Sequence, residues 1–80
     1  MSIAKNLKFL RKKAGYTQEQ FAKELGIKRS LVGAYEEGRA EPRLQNLSKI
    51  SKVLNVTVDG LIVGDQTILK SIKFQKEKIK

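Results

Sequence analysis

The chain has 80 residues, enough for one domain with a single small core, since chains of this size bury only roughly 60% of their unfolded surface and have little left for a deep substrate cleft. Lys and Arg number 17 against 8 Asp and Glu, a net charge of +9 that points to a polyanionic partner. Cys and His are both absent, which excludes a Cys/His zinc site, a disulfide framework, a Cys nucleophile and any general base built on imidazole.

In chain order, the first element is a helix. Ile3, Leu7, Leu10 and Ala14 recur at helical spacing, and Gly15 is placed to stop it. Thr17-Gln18-Glu19-Gln20 then has the form of a capping box, with Thr17 accepting from the Gln20 amide and the Gln20 side chain reaching back. The second helix carries Phe21, Ala22 and Leu25 on its apolar face and meets Gly26. A third follows with Ile27, Val32 and Tyr35, and Gly38 ends it. Pro42 lies in a short loop. Leu44, Leu47, Ile50, Val53 and Leu54 make a fourth helix, closed by Asn55 in the left-handed region. Thr57 is the expected N-cap of a short fifth helix with Val58, Leu61 and Ile62. No stretch of 1–64 alternates with period two over a strand's length, so the predicted fold class is all-α, five helices in residues 1–64. After Gly64 the pattern is ambiguous. Leu69, Ile72 and Ile79 fit a helix, whereas Ile72 and Phe74 fit a strand, so residues 65–80 are read as a basic tail that is disordered, packed on the domain or used in a contact.

The charge is uneven. Residues 1–13 carry +5, residues 14–64 carry +1 and residues 65–80 carry +3. No apolar run approaches the length of a membrane span, and the first residues lack the apolar stretch of a secretion signal, so the expectation is a cytoplasmic protein that does not enter a membrane. No metal and no cofactor are expected, and the carboxylates do not form a set suited to catalysis, so the chain is read as a binding protein rather than an enzyme.

The centre of the chain is the most informative part. Counting Gln18 as position one, positions four, five, eight, nine, ten, fifteen and eighteen are Phe21, Ala22, Leu25, Gly26, Ile27, Val32 and Tyr35. Two helices that cross at a wide angle through a short turn need this set. Ala22 must be small where the next helix passes. Gly26 must reach positive φ, which disfavours any side chain with Cβ. The remaining five are expected to bury the inner face.

On these residues, residues 3–63 resemble the Cro/repressor-type (XRE family) helix-turn-helix proteins. The matching positions are Leu10-Arg11, Thr17-Gln18, Phe21-Ala22, Leu25-Gly26-Ile27, Val32, Tyr35-Glu36, Gly38, Pro42, Leu47, Ile50, Leu54 and Leu61. The resemblance implies a compact five-helix, lambda-repressor-like domain that binds double-stranded DNA, usually as a homodimer on a near-palindromic operator. It places the start of the third helix in the major groove. Lys28, Arg29 and Ser30 sit there, and Ala34 lies one turn on. Arg29 has the fork that matches the O6/N7 edge of guanine, and Ala34 can touch a thymine methyl. Gln18 and Arg43 match phosphate-contact positions, Arg39 in the same loop is expected to add another, and Arg11 is expected beside the backbone while pairing with Glu36 in a partly buried salt bridge. Lys5, Lys8, Lys12 and Lys13 add long-range attraction. Leu61 and Ile62 are the expected dimer contact, extended by Ile68 or Ile72.

This chain departs from the family pattern at four places. Lys28 stands where relatives place a Ser or Thr cap, and Arg43 where a Ser cap often precedes the fourth helix. Leu31 replaces a small or polar residue near the DNA face, either core or in contact with a thymine methyl. Gly33 lies inside the recognition helix, at a cost of about 1 kcal/mol against Ala. A sequence-specific transcription regulator, acting as a repressor, is the leading reading. An antitoxin-type module, which binds its own operator and docks a protein partner through the tail, is the alternative.

Overall fold

The computed structural model describes residues 3–63. Five helices follow one another: α1 (Ile3–Lys13), α2 (Gln18–Leu25), α3 (Arg29–Glu37), α4 (Leu44–Leu54) and α5 (Val58–Val63). Among the described residues there is no strand. The reading of residues 65–80 as a tail, with Ile68 and Ile72, lies outside the described residues.

The first four helices stop in the same way. The residue after the helix, or one further on, takes left-handed backbone: Gly15 at φ 87°, Gly26 at 71°, Gly38 at 77° and Asn55 at 57°. The amide of the following residue then reaches back five positions. Tyr16 bonds the Arg11 carbonyl at 3.1 Å, Ile27 that of Ala22 at 3.0 Å, Arg39 that of Ala34 at 2.9 Å and Val56 that of Ser51 at 3.0 Å. Carbonyls left open at a helix end are thereby satisfied, and the chain turns within two or three residues.

Helix starts are less uniform. Thr17 caps α2 with the full box: its Oγ1 accepts from the Gln20 amide at 3.0 Å, and its own amide donates to Gln20 Oε1 at 2.9 Å. Thr57 caps α5 by accepting from the Gly60 amide at 2.9 Å. Lys28 and Arg43, at the starts of α3 and α4, make no side-chain cap bond.

The core is the meeting point of one stripe from each helix. Leu7 and Leu10 come from α1, Phe21, Ala22 and Leu25 from α2, Val32 and Tyr35 from α3, Ile50 and Leu54 from α4, and Leu61 from α5. Phe21, Val32 and Leu61 are wholly buried. Three expected core positions differ. Ile27 is half-buried, because it lies in the turn and packs on the cluster from its edge. Ala14 falls past the end of α1 and is exposed. Leu44 is 76% exposed, since it opens α4 and the stripe meets the core only from Leu47 onward.

Two polar ties lock the arrangement. Asn6 Nδ2 donates to the carbonyls of Leu61 at 2.7 Å and Ile62 at 3.3 Å, joining α1 to the end of α5. Asn46 Nδ2 donates to the Tyr35 hydroxyl at 2.8 Å, joining α4 to α3. Among the described residues, no buried side-chain nitrogen or oxygen is left without a partner.

Candidate nucleic-acid interface

The helix pair α2 and α3 is built around Ala22 and Gly26. Ala22 is buried where α3 passes over it, and a larger side chain there would hold the helices apart. Gly26 takes the positive φ that the turn requires. The pair presents the first turn of α3 outward. Lys28, Arg29 and Ser30 are all exposed. With no side chain capping Lys28, amides at this end remain open to an anion, and two cations stand beside them.

Glu36 fixes α3 from within. Its side chain is 2% exposed, and that of Arg11 is 7%. Arg11 Nε donates to Glu36 Oε2 at 2.5 Å and Nη2 to Oε1 at 3.1 Å, a two-point pairing of guanidinium and carboxylate. Arg11 Nη1 also donates to the Tyr16 carbonyl at 2.7 Å. Gln18 Nε2 adds a third bond to the carboxylate, at 3.1 Å from Oε1. One side chain of α3 thus holds α1 and α2 together.

This arrangement changes the roles read from sequence. Arg11 is committed chiefly within the fold, with bonds to Glu36 and to the Tyr16 carbonyl and a side chain only 7% exposed. Gln18 is half-buried, with its amide engaged by Glu36, so what it offers an anion is chiefly the backbone at the start of α2. Nothing in the sequence marked Gln18 as a second partner of that carboxylate. Arg39 and Arg43 are both exposed. Arg39 Nε bonds Glu37 Oε1 at 2.7 Å in a pair about two-thirds exposed, which contributes below about 1 kcal/mol and can open to release Arg39.

Ala34 also differs. It is 8% exposed and lies inside a concavity rather than on a convex helix face. That concavity, about 590 Å³, is lined by Ile27, Lys28, Ser30, Leu31, Ala34 and Arg39. Leu31 is half-buried and packs partly on the core. Leu31 thus packs with one side on the core and lines the concavity with the other.

In α5 the expected dimer contact needs correction. Leu61 is wholly buried within its own domain and has no surface to give a partner. Ile62 is half-buried, and Val63 is 57% exposed. Ile62 shares a second concavity, about 340 Å³, with Ile3, Glu41, Pro42 and Leu47. The accessible apolar residues at the end of α5 are thus Ile62 and Val63, with Asp59 exposed a turn earlier.

No group of three or more His, Cys, Asp or Glu able to hold a metal occurs among the described residues, and none of their helices is long and apolar enough to cross a membrane.

A family model described as helix-turn-helix matches residues 7–61. The chain belongs to the Cro/repressor-type helix-turn-helix family. Among its relatives in this family, the SPbeta prophage-derived HTH-type transcriptional regulator YonR of Bacillus subtilis is 45% identical over 62 residues, covering 78% of this chain and 57% of YonR. The HTH-type transcriptional regulator ImmR of Bacillus subtilis is 38% identical over 71 residues, covering 89% of this chain and 56% of ImmR. The chain thus spans a little over half the length of these helix-turn-helix relatives. Among solved structures, the P22 c2 repressor protein in complex with a synthetic operator superposes with a TM-score of 0.76 at 28% identity, covering 81% of this chain and 98% of that one.

Proposed function

We propose that this chain is a sequence-specific double-stranded DNA-binding transcription regulator, a repressor that acts as a homodimer on a near-palindromic operator. The observation that carries the reading is the exposed Lys28-Arg29-Ser30 turn at the start of α3, held from behind by the buried Glu36. A side chain can read a base edge only if the helix that carries it has a fixed orientation. The bonds from Arg11 and Gln18 to Glu36 provide that fixity.

In this reading Arg29 reads guanine through its fork, with Lys28 and Ser30 beside it on base edges or phosphate. Arg39, Arg43 and the backbone at Gln18 hold phosphates and set the register. Two protomers pair through the Ile62–Val63 end, and their recognition helices enter successive major grooves about 34 Å apart. The operator-bound state of the P22 c2 repressor supports duplex DNA as the ligand. The test is selection of bound duplexes from a random pool. An inverted repeat with half-sites about one helical turn apart is the expected product. Salt-sensitive binding with no enriched sequence would reduce the protein to a polycation and overturn the reading.

A further inference from the structure

Helix α3 ends on two carboxylates, Glu36 and Glu37, and the fold uses them differently. Glu36 is buried beneath three donors, whereas Glu37 is exposed and bonds Arg39 Nε at 2.7 Å. A helix C-terminus carries a partial negative charge, so an anion there is disfavoured. No basic residue stands in the last turn of α3 to compensate. The pair with Arg39 is about two-thirds exposed and adds little to stability. Folding therefore gives no reason for an acid at this position.

Arg39 has two competing uses. Its main chain is fixed, since its amide donates to the Ala34 carbonyl at 2.9 Å in the turn that ends α3. Only its side chain can move. Arg39 lines the concavity beside α3 together with Lys28, so it stands at the edge of the face proposed for DNA. A duplex phosphate arriving there meets a guanidinium already bonded to a carboxylate. Arg39 must leave Glu37 to give the phosphate its full fork, and Glu37 is then a bare anion beside a polyanion.

We propose that Glu37 is a built-in competitor of duplex phosphate for Arg39, an autoinhibitory contact that lowers the affinity of this protein for DNA. The proposal rests on the DNA-binding reading above and concerns how tightly that face holds its ligand. One exposed pair is worth up to about fivefold in affinity, and its effect fades as salt screens it.

The test is a double-mutant cycle on the full chain, with affinities for the best selected duplex measured by fluorescence anisotropy at low salt. Glu37→Gln keeps the side-chain shape and removes an anion from the unfavourable end of a helix, so the variant is expected to fold. It should bind the duplex at least about twofold more tightly than the wild type. In the Arg39→Ala background the same substitution should gain about two- to fivefold less, because only the repulsion of DNA by Glu37 is relieved. In the Arg43→Ala background, which lacks a cation of the same loop outside the pair, the gain should be kept in full. The difference made by Arg39 should shrink as salt is raised. Equal gains with and without Arg39 would mean that Glu37 acts by repulsion alone and would overturn the proposal. Weaker binding by Glu37→Gln would make Glu37 a DNA contact and overturn it as well. Absence of DNA binding by the wild-type chain sinks the DNA-binding reading itself, a separate failure.

Discussion

Arg29 and Glu36 lie on the same helix and do opposite work. Arg29 is exposed and owes nothing to the fold, so its removal is expected to leave thermal unfolding unchanged. Arg29→Ala should weaken binding to the selected site by about 1–3 kcal/mol and hardly affect random DNA. Equal losses on both would make it a phosphate contact. Glu36 is buried with three donors on it. Glu36→Ala leaves the Arg11 charge buried and alone, and about 3–5 kcal/mol of stability is expected to be lost. Replacing both partners, Arg11→Met with Glu36→Leu, should lose much less, because no orphaned charge remains. Denaturant unfolding of the three proteins distinguishes this from loss of a surface pair, where the single and double changes would be alike and small.

At the scale of helices, the contrast is between ends and faces. The stops at Gly15, Gly26, Gly38 and Asn55 were legible in the sequence because one residue type satisfies one backbone conformation. The caps at Thr17 and Thr57 were legible for a similar reason, since a hydroxyl must stand three residues before the amide it accepts from. Outward and inward faces were harder. Ala34 and Leu61 fall on helical faces whose neighbours in space come from other elements, so spacing alone did not separate groove from core. The ties made by Asn6 and Asn46 were invisible, because each depends on how two helices pack and an Asn on a helix surface reads the same with or without a partner. The Arg11–Glu36 pairing came only through resemblance, and the share of Gln18 in it came from neither source. Gly33 offers a test at this scale. It sits inside α3, and a Cβ built there meets nothing within 4 Å. Gly33→Ala is therefore expected to raise stability by up to about 1 kcal/mol, measured as a higher unfolding midpoint. A lower midpoint would mean that the helix needs the flexibility.

For the whole molecule the question is how charge and symmetry combine. The formal charge is +9, but Arg11 is neutralised within the fold, and Arg39 is shared with Glu37 until a stronger anion competes for it. Long-range attraction therefore comes from exposed lysines and arginines, and affinity should fall steeply with salt. Arg43→Ala is expected to lower affinity evenly across sequences and to reduce the slope of log K against log salt by about one. An altered base preference would move Arg43 out of the positioning class. In the proposed dimer, symmetry rests on the Ile62–Val63 end of α5. Val63→Asp places a charge on the exposed end of α5 and is expected to shift the protein to monomer in sedimentation while leaving its helicity intact. An unchanged mass would place the self-contact elsewhere.

The bonds from Asn6 to the carbonyls of Leu61 and Ile62 span almost the whole described chain, and they impose an order on its birth. The first helix is synthesised first and closed last. A ribosome adding about 5–20 residues per second needs roughly 3–11 s to travel from Asn6 to Leu61. Throughout that interval Leu7 and Leu10 lack the cover that α5 gives them, and Glu36, once made, is anchored to a helix with no settled position. A nascent chain is thus open to chaperones and proteases until α5 has been made.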